Sequence, residues 1–310
     1  MSMNPFPGPE PYRAEDRARF FGRAEISRKL AESLLGSRCI TLYGPSGSGK
    51  TSLLQASVLP ALVESQDVRV VYVAGWPPGE DARSRLVNAM VRDLRLGAPP
   101  TEDLPPTEAV IEAAKRAARA SSRLMIVCLD QMDQLFYADR PVLPIEAFLA
   151  CIEDLLGMPL RPVRIVLVLR EDYLGRFLER LQGRLRMLEH YFRLRPLTVS
   201  EVIPLVCRTA AAGEPPQEWS PVKLKPLIND LRVHDQVESD QTNVRLTNVQ
   251  RFCHALFERR MVRPVVERSI VEEEGAIRRE LGPYVEKTIL DATMIAEPAR
   301  RDAEDPEEPR

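Results

Sequence analysis

The sequence predicts an α/β fold, a parallel sheet covered by helices, followed by a smaller all-helical unit. Two runs, Arg123 to Asp130 and Val163 to Arg170, are apolar on both faces, as central parallel strands buried between helices must be. Strand-like and helix-like stretches alternate from Cys39 to about Pro196. From Ser200 to Ile289 the alternation stops and helical spacing takes over. The expected organisation is a Pro-rich segment over 1–20, an α/β domain over 21–197, a helical domain over 198–290 and an acidic tail over 291–310.

Taken in order, Met1 to Tyr12 is rich in proline and expected to be extended. Ile26, Leu30 and Leu34 share one helical face, so Glu25 to Leu35 is a helix. Cys39 to Tyr43 is a buried strand and Lys50 to Val63 a helix, with Pro60 near its end. Asp67 to Val73 is a second strand, and the turn-rich Gly75 to Asp81 leads into helices at Ala82 to Leu94 and Thr107 to Ala120. After the strand ending at Asp130, Ile145 to Leu156 is helical. Val163 to Arg170 is the next buried strand, and His190 to Leu197 holds a short fifth one. In the helical part, loops are expected at Gly213 to Gln217 and Val233 to Asn243. The tail, Ile295 to Arg310, is acidic and poor in apolar residues, a composition that predicts disorder.

The chain has 310 residues, 44% hydrophobic and 28% charged, with a formal net charge of −2. That length supports a sizeable core. The charge balance gives no global reason to expect nucleic acid or an anionic membrane as partner. No apolar run approaches the ~18 residues of a membrane span. Cys39, Cys128, Cys151, Cys207 and Cys253 form no CxxC pair and most sit in apolar runs, which predicts reduced cysteines and a cytoplasmic location. His190, His234 and His254 lack the spacing of metal ligands, and no hydrolase-type serine motif is present.

The chemistry concentrates in "CITLYGPSGSGKTSLLQ". Gly44-Pro45-Ser46-Gly47-Ser48-Gly49-Lys50-Thr51 fits G-x(4)-G-K-[ST] without departure, with a strand before it and a helix after it. Glycines at this spacing let backbone N–H groups turn inward around a phosphate, and the helix that follows adds the positive end of its dipole. Lys50 is placed to reach the β- and γ-phosphates, and the Thr51 hydroxyl to ligate Mg²⁺. Ser52 follows as a further candidate contact.

Such a loop needs a second Mg²⁺ anchor, and Asp130, ending a fully apolar strand, has the Walker B pattern. The next residue is Gln131, where many ATPases of this type have a glutamate, and the nearest acid is Asp133. Asp133 reads either as the group that polarises the attacking water or as a helix N-cap. Arg170 stands at the C-terminal end of its strand, where ligands bind in open α/β sheets. It faces a γ-phosphate if its strand lies between those ending at Gly44 and Asp130. Otherwise it is a solvated charge pairing with Glu171 or Asp172. Arg176, Arg180 and Arg184 recur every fourth residue, as an arginine finger or as a solvated helix face. Trp76 and Trp219 read as packing residues.

These elements together resemble the STAND ATPases, signal transduction ATPases with numerous domains, and within them the bacterial novel STAND NTPases. The resemblance runs from "NPFPGPEPYRAEDRARFFGRAEI" through "LYGPSGSGKTSLLQASVLPAL", "GWPPGEDARSRL", "CLDQMDQLF" and "VLVLREDYLGRF" to "FRLRPLTVSEV" and "VRLTNVQRFCHALFERR". It implies an AAA+-like core with strand order 5-1-4-3-2 and a helical lid. Gly22 and Arg23 would lie along the nucleotide base, with Phe20 and Phe21 beneath it or simply packed in the core. Ala24, Asp133 and Thr247 stand where the family usually has glutamate, glutamate and proline. The long repeat arrays and complete winged-helix segment of STAND proteins are missing from the sequence, so sensor and effector parts are expected in a longer chain or on other chains.

The expectation is an ATP- and Mg²⁺-binding switch that holds ATP or ADP tightly, hydrolyses slowly and engages a protein partner or forms a nucleotide-dependent homo-oligomer. The setting implied by the resemblance is bacterial signalling or antiviral defence. Two alternatives stay open: a DNA-associated AAA+ helper of transposition or replication, suggested by the arginine-rich stretch Arg161 to Arg195, and a non-hydrolysing scaffold.

Overall fold

Alternate residues of each central strand face opposite layers, and this builds the first unit. A computed structural model describes residues 3–100, 104–137, 142–158, 163–181, 183–229, 231 and 243–262. Strands β1 (Cys39–Gly44), β2 (Arg69–Ala74), β3 (Met125–Asp130), β4 (Val163–Arg170) and β5 (His190–Arg193) form one sheet in the order β2-β3-β4-β1-β5. All neighbours are parallel. This is the order the family resemblance implies, and it puts β4 between β1 and β3.

Ile165, Leu167 and Leu169 of β4 enter the core on one face of the sheet, Val166 and Val168 that on the other. The first layer holds α4 (Ala82–Leu94), α5 (Pro106–Ala120), α6 (Val142–Gly157) and α7 (Leu174–Arg180). The second holds α1 (Ala24–Gly36), α2 (Lys50–Leu53) and α3 (Leu59–Gln66). The helix expected over Lys50 to Val63 thus runs on to Gln66. A π turn over Leu54–Val58 joins its halves two residues before Pro60, which lacks the N–H an α-helix uses.

The second unit packs α8 (Val199–Ala211), α9 (Pro221–Asn229) and α10 (Leu246–Val262) around their own core. Thr198 and Glu201 form a capping box that starts α8. A two-stranded antiparallel pair, β6 (Leu197–Thr198) with β7 (Asn243–Val244), ties the entry of this unit to the start of α10. Strands of this length carry no periodicity, and the sequence gives no sign of them. The N-terminal stretch also belongs here. Phe6 is buried in this core, stacked on Trp219 at 5.4 Å between centroids, and Met3 bridges to Glu214. The tail expected over 291–310, the helical stretch expected beyond residue 262 and the loop expected over Val233 to Asn243 lie, the last but for Asn243, outside the described residues.

Candidate functional site

β1 and β4 end together, with Gly44 in register with Arg170. The loop after Gly44 turns through Gly47 at φ +73° and Gly49 at φ +88°, a region that L side chains rarely enter. A Cβ on Gly44 would meet the Leu194 carbonyl oxygen at 2.4 Å, so only glycine lets the linker backbone pass there.

Lys50 folds over the loop and donates to the carbonyls of Gly44 at 2.8 Å and Pro45 at 3.0 Å. Burial lowers its pKa, against the pull of Asp130 and Asp133. The ammonium is thus held in a carbonyl collar within reach of an incoming anion.

The Thr51 hydroxyl donates to Asp130 Oδ2 at 2.8 Å, and the Tyr72 phenol donates to the same oxygen. Asp130 Oδ1 takes the Gln131 N–H at 2.7 Å, and its main-chain carbonyl takes the Trp76 indole N–H at 2.7 Å. Burial, then the nearby Asp130 charge, holds the Tyr72 phenol well above its ordinary range, so it remains a donor. With its proton on Asp130, Thr51 Oγ1 keeps lone pairs for a cation. Mg²⁺ is ordinarily held by one or two protein groups plus substrate phosphates, and Thr51 with Asp130 is a donor set of that kind.

Asp133 is almost fully buried, on a 3₁₀ turn over Met132–Phe136 that Gln131 enters at φ +59°. Its Oδ1 accepts the Arg170 N–H at 3.2 Å and its Oδ2 faces the Tyr137 hydroxyl at 3.5 Å. Burial raises its pKa, opposed by the Arg170 N–H and by the charges of Arg170 and Lys50. The Arg170 guanidinium lies on Asp172, with Nε to Oδ1 at 3.0 Å, and over the Tyr173 ring. Both positional requirements of the phosphate-facing reading are met, yet the side chain is in the ion pair that the other reading foresees.

Arg23 is 4% exposed and braces distant segments, donating to the carbonyls of Ser48 at 3.2 Å and Arg195 at 3.0 Å. Its Nη1 has no partner, and burial followed by the Arg195 charge brings its pKa down to about 10. Gly22, at φ +84°, packs against Leu205 of α8.

These groups surround a cavity of about 480 Å³ between the sheet and the helical unit. Arg23, Ser46, Gly47, Gly49, Lys50, Thr51, Ser52, Asp130, Asp133 and Arg170 all line it, whereas Gly22, Gly44, Pro45 and Ser48 do not. Phe20 and Phe21 line it while also packing, Phe20 on Tyr12 and Phe21 under Arg208. The lining also has an apolar part, Phe6, Pro11, Leu205, Val206 and Val249, beside the polar Glu10, Arg19, Thr209 and Gln250. That part comes largely from the N-terminal stretch and the helical unit, which sequence reasoning left out of the site, as it did Tyr72 and Tyr137. The main-chain N–H of Leu246, the first residue of α10, donates to the Gly47 carbonyl at 3.0 Å, so the helical unit touches the phosphate loop directly.

The remaining predicted features have partners within the chain. Arg180 and Arg184 pair with Glu146, while Arg176 lies over Tyr173. Trp76 and Trp219 are both buried. No helix among the described residues is long and apolar enough to cross a membrane.

Solved structures share this architecture. The ORC2 protein of Aeropyrum pernix, in its ADPNP–ADP complexes, superposes with a TM-score of 0.60 at 16% identity, over 85% of this chain and 68% of that one. The Aeropyrum pernix ORC1 protein in complex with DNA gives 0.56 at 21% identity, over 84% and 66%. The Walker-type ATPase PABY2304 of Pyrococcus abyssi gives 0.56 at 16%, over 92% and 79%. At these identities the likeness shows a shared P-loop ATPase fold, and the chain spans about two thirds of the ORC chains. No curated protein gives a significant match. The family model described as Novel STAND NTPase 1 matches residues 5–294, nearly the whole chain, and the protein belongs to that family.

Proposed function

We propose that the chain binds ATP with Mg²⁺ between its two units, hydrolyses it slowly, and uses the bound nucleotide to set the position of the helical unit. The observation that carries this reading is the bond from Leu246 N–H to the Gly47 carbonyl. A phosphate that reorganises the loop alters a contact made by the helical unit itself, which is what a switch requires. In this reading the loop, Lys50 and Arg170 hold the triphosphate and Asp133 orients the attacking water. Thr51 and Asp130 would hold Mg²⁺, which would supply neutralisation of the phosphate charge. The apolar part of the lining, with Arg23 and Phe21, takes the base.

The reading extends to a protein sensor or effector on another domain or chain, and to nucleotide-dependent self-association, in a bacterial signalling or antiviral defence setting. Its cysteines are all free, in keeping with a reducing, cytoplasmic compartment. DNA is the less favoured partner. In the arginine-rich stretch Arg180, Arg184, Arg186, Arg193 and Arg195 are each engaged with a glutamate of the same chain. Calorimetry with ATP and ADP, each with Mg²⁺, followed by single-turnover phosphate release, tests the proposal. Tight binding of both with slow release supports it, and absence of ATP binding removes it. Binding without release leaves the non-hydrolysing scaffold.

A further inference from the structure

We propose that Tyr72 is a positioning residue for the divalent cation, acting through Asp130 and Thr51. The inference rests on the Mg²⁺–nucleotide reading of the site. Tyr72 lies on β2, at the edge of the sheet and outside the phosphate loop. Its phenol reaches the end of the neighbouring strand β3, at Asp130 Oδ2, the oxygen that also takes the Thr51 hydroxyl. Gln55, on the π turn, lies beside the same phenol.

A carboxylate has acceptors only, so Tyr72 and Thr51 both donate to Oδ2. The phenol occupies one side of that oxygen, and the Gln131 N–H fixes Oδ1 at 2.7 Å. The carboxylate therefore cannot rotate to accept Thr51 elsewhere, and the Thr51 proton is directed away from the cavity. What remains toward the cavity is the lone-pair side of Thr51 Oγ1, the part a cation needs. Groups that orient ligands in this way typically change metal affinity by about 10–100-fold when lost.

Tyr72 is itself held from outside. On the free edge of β2 its main-chain N–H donates to Asp93 Oδ2 at 2.9 Å, and its carbonyl accepts from Arg92 at 3.2 Å. Asp93 and Arg92 also bond to each other, Nε to Oδ1 at 2.6 Å. Two adjacent residues of α4 thus cap the exposed backbone of one edge residue. This blunts the edge and sets the height at which the phenol meets Asp130.

The test is the Mg²⁺ dependence of ATP affinity in Tyr72→Phe, by calorimetry in EDTA and across a Mg²⁺ titration. Unchanged affinity in EDTA is expected, with the Mg²⁺ concentration for half-maximal strengthening raised about tenfold. In an Asp130→Asn background the Tyr72 substitution should add nothing, since its route is gone. Asp93→Ala, remote from the cavity, should move the same profile in the same direction by a smaller factor, and it carries the test should Tyr72→Phe not fold. Equal loss with and without Mg²⁺, an unchanged Mg²⁺ profile, or additivity with Asp130→Asn overturns the inference. A wild-type affinity that ignores Mg²⁺ overturns the reading of the site and this inference with it. A Mg²⁺-dependent wild type with an unchanged Tyr72→Phe profile overturns this inference alone.

Discussion

Arg170 and Asp172 form a paired contact at the end of β4, with Nε to Oδ1 at 3.0 Å and Nη2 to Oδ2 at 2.5 Å. The pair is partly exposed, with 39% of the Arg170 side chain accessible, so it contributes at most about 1 kcal/mol. A triphosphate that recruits Arg170 must break it. Arg170→Ala should therefore weaken ATP about tenfold or more, the worth of a charge-assisted hydrogen bond, and leave ADP unchanged. Asp172→Asn should do the reverse and strengthen ATP over ADP by up to about fivefold. Paired titrations decide, and equal effects on both nucleotides in either variant would sink the sensing role.

Lys50→Ala should abolish measurable ATP binding by calorimetry. The residue is the cation carried by the loop, and its collar of Gly44 and Pro45 carbonyls offers only acceptors to a phosphate once the ammonium is gone. Asp130→Ala should keep weak ATP binding but lose its strengthening by Mg²⁺, because Thr51 alone leaves a neutral site. If ATP affinity survives Lys50→Ala, the loop does not hold the phosphates.

Asp133 gives a prediction with a pH sign. Burial raises its folded-state pKa, so the folded chain holds this proton more tightly than the unfolded one. Its contribution to stability is full below the ordinary carboxylate range and is lost as pH rises through the raised value. Asp133→Asn should remove that loss and be neutral or stabilising at pH 7, as read by thermal unfolding across pH. Turnover has the opposite slope, since only the carboxylate can act as base, and should rise with pH through the same range. The variant should keep ATP affinity and lose turnover by ~10²-fold or more. A variant with full turnover leaves Asp133 as a structural acid.

The parts of this arrangement encoded locally were legible in the sequence. A glycine pattern between a strand and a helix specifies the loop because it specifies backbone conformation, and Asp130 stands out because a charge ends a fully apolar strand. Periodicity does not say which strands are neighbours, and the position of β4 between β1 and β3 came through family resemblance. Contacts that depend on register or on distant segments were not legible. Tyr72 reaches Asp130 only because β2 and β3 pair with Ala74 opposite Asp130. Phe6 falls in a segment that its prolines predict to be extended, and nothing local points to its partners, Trp219 and Phe257, near the other end of the described residues. The spacing of Arg180 and Arg184 allowed two roles, and Glu146 on α6 engages both side chains.

The bond between Leu246 N–H and the Gly47 carbonyl can be removed almost by itself. Leu246 is the first residue of α10, a position that tolerates proline because its N–H has no partner within the helix. Leu246→Pro deletes the donor without breaking the helix, and Arg245 before it is outside any helix, where the conformation required ahead of proline is accessible. A hydrogen bond of this kind contributes about 0.5–1.5 kcal/mol, so ATP and ADP should both dissociate roughly two- to twelvefold faster. The side chain changes as well, and Leu246 packs near Gly49, so Leu246→Ala is the control: it shortens the side chain and keeps the N–H. Stopped-flow release of a fluorescent nucleotide compares the two. Faster release in the proline variant alone assigns the coupling to the backbone bond. Equal acceleration in both assigns it to packing around Gly49, and no acceleration in either removes this contact from the switch.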